Sequence, residues 1–154
     1  MNKLYYGYYS SPVGILKITA SKYAVTSLVF THDLFVNKQV PSILKKTFKE
    51  LDEYFNGERK YFSINIEMEG TEFQKKAWKF ISEIPYGETR TYKEQAIAIG
   101  NPKAARAVGN ANNKNPLSII IPCHRVIGSN GKLTGYAFGV NKKKWLLEHE
   151  KINV

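Results

Sequence analysis

The 154 residues suffice to bury a core, as one domain or as two small ones. At 43% hydrophobic content, no apolar run reaches the roughly 18 residues of a membrane-spanning helix, and Met1 to Ser10 lack the regions of a secretory signal. A helical membrane span is therefore excluded, and a reducing cytoplasm is expected. The formal charge of +10 is concentrated between Arg90 and Lys144, where ten basic residues stand against one acid, Glu94. Such local density is the footprint of a polyanion, and it favours a nucleic-acid partner over a merely solvated face.

In chain order, Tyr5 to Ser10 and Val13 to Ala20 are aromatic and β-branched runs joined at Ser11-Pro12, the pattern of a hairpin, and Val25 to Phe30 predicts a third strand. Leu44, Phe48, Leu51 and Phe55 recur at i, i+4, i+7 and i+11, the stripe of a helix lying on a sheet, and Asn56-Gly57 ends it. Lys60 to Ile64 predicts a further strand, and Glu67-Met68-Glu69-Gly70 a linker. This half, residues 1–66, is expected to be an α/β (α+β) scaffold domain with a small antiparallel sheet.

Residues 71–154 form the second expected domain. Thr71 with Gln74 and Thr91 with Glu94 are capping-box patterns, each opening a helix. Pro85-Tyr86-Gly87 breaks the first, and Gly100 closes the second near Ala98. Asn101-Pro102 is expected to cap and start a third, running to about Asn113, so that two helices with a tight turn form a helix-turn-helix. Ala104, Ala105, Ala107, Val108, Gly109 and Ala111 give that helix a slim profile, suited to a nucleic-acid groove or to tight packing on a neighbour, and Lys103 and Arg106 lie on the same element. Leu117 to Ile121 predicts a strand, Asn130-Gly131 a turn, and Asn141 the cap of a last helix bearing Trp145, Leu146 and Leu147. His32, His124 and His149 are scattered, and no metal-ligand spacing is present.

Cys123 is the only cysteine, so neither an internal disulfide nor a multi-cysteine zinc site is available to it. A lone cysteine is often a small buried apolar residue. Here His124 and Arg125 follow directly, and either can favour a thiolate by charge or by acting as base. Neighbouring strand residues point to opposite faces, so Cys123 and His124 cooperate only if the chain turns, and Pro122 makes that turn plausible.

Tyr92, Arg106-Ala107-Val108-Gly109, Asn115-Pro116, Ile121-Pro122-Cys123-His124-Arg125-Val126, Tyr136 and the run from Trp145 to Glu150 together resemble the O6-alkylguanine-DNA alkyltransferases. Ser11-Pro12-Val13-Gly14 is similar to the first hairpin of their amino-terminal domain. The resemblance implies a mainly helical, winged-helix-like carboxy-terminal domain and direct-reversal repair of double-stranded DNA. Cys123 would take the alkyl group from O6 of guanine, or from O4 of thymine, irreversibly and once per molecule, as a monomer without cofactor or metal. It implies a relay from Glu150 through His124 and a water to Cys123, with Tyr92 donating to the purine and Asn115 bracing the turn. The damaged base must leave the duplex. By the same resemblance Arg106 fills the vacated space, and Lys103, Ala107, Gly109 and Arg125 belong to the DNA face. Val126, Tyr136 and Ala137 would line the pocket. Ala137 lies where some members have serine and Phe138 where some have glycine, and the zinc-binding residues of some animal members have no counterparts here.

Two rival readings are a damage-flagging binding protein of the alkyltransferase-like kind, which would lack the cysteine, and a Cys-His hydrolase, for which only the dyad speaks.

Overall fold

A computed structural model describes residues 3–33, 35, 37 and 40–154. The chain divides into two compact units, one running to Met68 and including Pro116–Ser118, the other made of Glu69–Asn115 and Ile119–Val154.

In the first unit, β1 (Tyr5–Ser11), β2 (Gly14–Ala20) and β3 (Val25–Thr31) form an antiparallel meander in the order β1-β2-β3. Leu16, Ile18 and Ala20 are fully buried at alternate positions, the period of two that points every second side chain to the core. The helix α1 (Ser42–Phe55) buries Leu44, Leu51 and Tyr54. It lies so close to β1 that a Cβ on Gly7 would come within 2.6 Å of the Phe48 ring, which would have to shift to admit it.

The strand expected at Lys60 to Ile64 is absent. The buried Glu50 carboxylate holds the Ser63 amide at 2.8 Å, a side-chain tether in place of a ladder, and only Ile66 bridges to Val25. The strand expected at Leu117 to Ile121 is also corrected. Leu28 N donates to Pro116 O at 2.8 Å and Ser118 N to Leu28 O at 2.9 Å, so Pro116–Ser118 join β3 and not the 71–154 domain. Beyond them Ile119 takes a φ of 72°, a left-handed conformation that a β-branched residue avoids unless its surroundings impose it.

The second unit contains α2 (Glu72–Ser82), α3 (Tyr92–Ala98), α4 (Ala105–Asn113) and α5 (Val140–Ile152). Both capping boxes form: Gln74 N donates to Thr71 Oγ1 at 3.1 Å and Glu94 N to Thr91 Oγ1 at 3.0 Å, with each Gln or Glu side chain accepting from the cap amide. Buried Trp78 donates from Nε1 to Ala111 O at 2.8 Å, and Gln95 and Asn112 exchange amide hydrogen bonds of 2.9 and 2.8 Å, tying α2, α3 and α4 together. Ala96, Ala104 and Val108 complete the apolar seam of the α3–α4 hairpin.

Two helix starts differ from expectation. Asn101 Oδ1 accepts from Lys103 N at 3.2 Å, a local turn that holds residues 101–103 outside the helix, so α4 begins at Ala105 without a side-chain cap. Gly139, at φ 104°, precedes α5, so Asn141 lies inside that helix.

Candidate active site

Pro122 takes φ −81° and ψ 66°, and Cys123 N donates to Ile121 O at 2.8 Å, an inverse γ-turn that leads directly into the cysteine turn. Cys123–Arg125 then form a single 3-10 turn, so the thiol and imidazole no longer lie on opposite faces of a strand. Asn115, buried, donates from Nδ2 to Ile121 O at 2.8 Å and holds the entrance to the turn. The exit is held by β5 (Val126–Ile127), which pairs in parallel with β4 (Arg90–Thr91). That pairing sets the cysteine turn beside the first residue of α3, Tyr92.

The remaining groups arrive on α5. Lys143, Leu146 and Glu150 are its buried residues, spaced i, i+3 and i+7 on one inward stripe. His124 is fully buried, with Nε2 2.7 Å from Glu150 Oε2. Arg125 donates from Nε to Glu150 Oε1 at 2.8 Å, from Nη2 to Oε2 at 3.1 Å and from Nη1 to Ile84 O at 2.7 Å. Its guanidinium also lies over the Tyr86 ring, 5.5 Å from the centroid. Burial alone would raise the Glu150 carboxyl, but His124 and Arg125 more than offset it and hold the group well below the usual carboxylate range. The ionised Glu150 carboxylate accepts the Nε2 proton of His124, so in the neutral imidazole it is Nδ1 that carries the free lone pair. Nδ1 is buried and has no hydrogen-bond partner among the described residues.

At the other end of the stripe, Lys143 Nζ donates to Thr134 O at 2.9 Å and to Tyr92 Oη at 3.3 Å, and Tyr92 Oη donates to Thr134 O at 2.8 Å. Burial pushes Lys143 down to about 8, with Cys123 pulling the other way. Burial pushes the Cys123 thiol up, opposed by its hydrogen bond with Asn115 and by the Lys143 charge. Tyr92 is raised, first by burial and then by the nearby sulfur. The site therefore rests as a thiol, with a base on one side and a cation and a phenol on the other. Such an arrangement suits a sulfur nucleophile and a leaving group that gains negative charge. Among the described residues no cluster of His, Cys, Asp or Glu is placed to hold a metal.

Residues 4–68 match the ribonuclease-like domain of 6-O-methylguanine DNA methyltransferase, and residues 72–152 match the DNA binding domain of the same protein family. The chain belongs to the 6-O-methylguanine DNA methyltransferase family. It is 46% identical, over 98% of its length and 99% of the relative's, to the methylated-DNA–protein-cysteine methyltransferase of Methanosarcina barkeri. The crystal structure of Mycobacterium tuberculosis O6-methylguanine methyltransferase superposes with a TM-score of 0.89 at 42% identity, covering 99% of this chain and 95% of that one. A Mycobacterium tuberculosis OGT solved in complex with DNA has the same TM-score at 43% identity, with coverages of 97% and 94%.

In this family member the structure gathers Cys123, His124, Glu150, Tyr92 and Asn115 around one turn. Val126 is fully buried beneath it, Tyr136 is buried and packs edge-on to Phe138 with centroids 6.0 Å apart, and Ala137 is exposed. Arg106 and Ala107 are exposed on α4, Lys103 is exposed just before it, and Gly109 is half-buried, where a Cβ would sit 3.7 Å from the Tyr92 ring. Arg125 is the exception. It is buried at 6% exposure with its donors engaged by Glu150 and Ile84, so it cannot reach a phosphate, and its expected place on the DNA face is corrected.

In the sequence Lys143 is one of the ten basic residues between Arg90 and Lys144 and carries no mark of a site residue by itself. Its signal was the seven-residue spacing to Glu150 with Leu146 between them, which puts all three on the same helix face. Thr134, whose carbonyl joins Lys143 to Tyr92, carried no side-chain signal.

Proposed function

We propose that the protein repairs O6-alkylguanine in double-stranded DNA by moving the alkyl group to Cys123. The His124 imidazole supports this most directly: it is completely buried, fixed through one nitrogen by an ionised Glu150, and presents an unpartnered Nδ1 in the same turn as the only cysteine. In this reading Nδ1 takes the thiol proton through a water, and the sulfur attacks the alkyl carbon opposite the guanine oxygen. The S–C bond forms as the C–O bond breaks, and the electron pair passes to the purine. Tyr92 donates to the ring as that charge develops. It can leave Thr134 O to do so, because Lys143 Nζ still donates to the same carbonyl. Lys143 lies near both the sulfur and Tyr92, where its charge favours thiolate and leaving group alike.

The product is a thioether, which is neither basic nor readily displaced, so the reaction runs once per molecule. O4-alkylthymine presents the same alkyl–oxygen bond on a pyrimidine and is proposed as a second substrate. The acting species is proposed to be a monomer on DNA, and a reducing compartment keeps the thiol available. The target base must be turned out of the stack, with Arg106 on exposed α4 taking its place and Lys103 and its basic neighbours on the phosphates. Incubation with a duplex carrying radiolabelled O6-methylguanine tests the proposal. Label should pass to protein and stop at one equivalent; continued turnover or release of free methanol would overturn it.

A further inference from the structure

We propose that Asn110 and Asn113 read the base pairs beside the lesion and make the repair rate depend on sequence context; this rests on the alkyl-transfer reading above. The inward side of α4 is Val108, Ala111 and Asn112, all buried. Arg106, Asn110 and Asn113 fall at i, i+4 and i+7 on the opposite side, all exposed. With Tyr92, Thr134 and Gly135 these three border an open cavity of about 220 Å³. The two amides therefore flank the mouth through which a substrate base would reach Tyr92.

The third asparagine of the helix shows what an amide is for when the fold needs one. Asn112 is buried and exchanges two hydrogen bonds with Gln95. Neither Asn110 nor Asn113 has a side-chain hydrogen bond among the described residues. Asparagine is also a poor helix former beside alanine, because its amide competes for backbone groups. Two of them on a nine-residue helix that starts without a side-chain cap weaken it with no return inside the protein. The return is available outside. Each amide offers two donors and an acceptor in a fixed plane, and base edges differ in just those groups. In the minor groove the guanine N2 amino group marks G·C against A·T, and in the major groove asparagine matches adenine N6 and N7. Lysines and arginines on phosphates carry no such discrimination.

The test measures single-turnover transfer on duplexes holding one O6-methylguanine flanked by A·T, G·C or inosine·C pairs. It compares wild type, Asn110→Ala, Asn113→Ala and the double variant. Wild type should spread these rates by at least about fivefold, the lower end of what one amide–base contact discriminates. Each single variant should narrow the spread, and the double variant should hold it within about twofold. Inosine·C should behave like A·T if the amides face the minor groove and like G·C if they face the major groove. A helix merely loosened by substitution would slow every duplex by the same factor and leave the spread unchanged, and that result overturns the proposal. So does a wild type indifferent to its flanks. A wild type that moves no methyl from any duplex sinks the alkyl-transfer reading itself, a failure distinguishable from the other two.

Discussion

Glu150→Gln separates the two tasks that the structure gives this carboxylate. The substitution keeps the shape but removes the one carboxylate that pairs with buried Arg125 and His124 among the described residues. Breaking one partner of a buried ion pair costs about 3–5 kcal/mol, because the charge left behind stays out of water. A glutamine that still accepts one hydrogen bond should come near the lower figure. For a cooperative unit of this size, that lowers the melting temperature by roughly 10–20 °C. Both tryptophans of the chain, Trp78 and Trp145, lie in the unit that holds the site, so fluorescence melting reports on it alone. The acid arm supplies a second readout. The folded carboxyl titrates below its ordinary value of 4.5, so its stabilisation is fully present above that pH and drains away as pH falls. Wild type should lose stability between about pH 5 and pH 2 more steeply than the Gln variant. Measured well below its melting point, the variant should also transfer methyl more slowly, most of all near neutral pH, where the thiol depends on an oriented His124. A variant within about 1 kcal/mol of wild-type stability, with an unchanged transfer rate from pH 6 to pH 9, would mean that Glu150 neither holds Arg125 nor orients His124.

Three further outcomes follow from the geometry. Lys143→Met should slow transfer most below pH 8; the lysine is charged below its value of about 8 and neutral above it, so the gap to wild type closes as pH rises, and a constant gap would deny the charge a role. Gly135→Ala should cut transfer about tenfold or more, since Gly135 sits at φ 74° and a Cβ would meet Tyr92 Oη at 3.0 Å; wild-type rates would show the loop yields freely. Arg106→Ala should slow repair in duplex DNA far more than reaction with free O6-benzylguanine, because only the duplex needs a base held out of its stack, and equal losses would place Arg106 in the pocket.

The parts of the fold written in local chemistry were legible. Thr71 with Gln74 and Thr91 with Glu94 announce their helices because a capping box is complete within four consecutive residues. The first hairpin, whose turn falls one residue later than Ser11-Pro12, at Pro12-Val13, and the stripe of α1 follow from period and turn signals. What failed depended on partners far away in sequence. Leu117 to Ile121 has the composition of a strand, but only its first two residues, Leu117 and Ser118, lie against Leu28 before Ile119 turns left-handed. Lys60 to Ile64 is held by Glu50 from thirteen residues back. Among the site residues, Cys123, His124 and Tyr92 stand in recognisable words of sequence. The burial of Arg125 and Lys143 does not, since a basic residue looks the same in sequence whether it meets phosphate or a folded-in carboxylate.

The most direct measurement is mass spectrometry of the protein after incubation with a duplex containing a single O6-methylguanine, followed by mapping of the modified peptide. One methyl group should replace the thiol hydrogen of Cys123, with an equal amount of restored guanine in the DNA and no modification of Cys123→Ser, which still binds the duplex. Methyl found on another residue, or retained by the serine variant, would contradict transfer to the Cys123 sulfur.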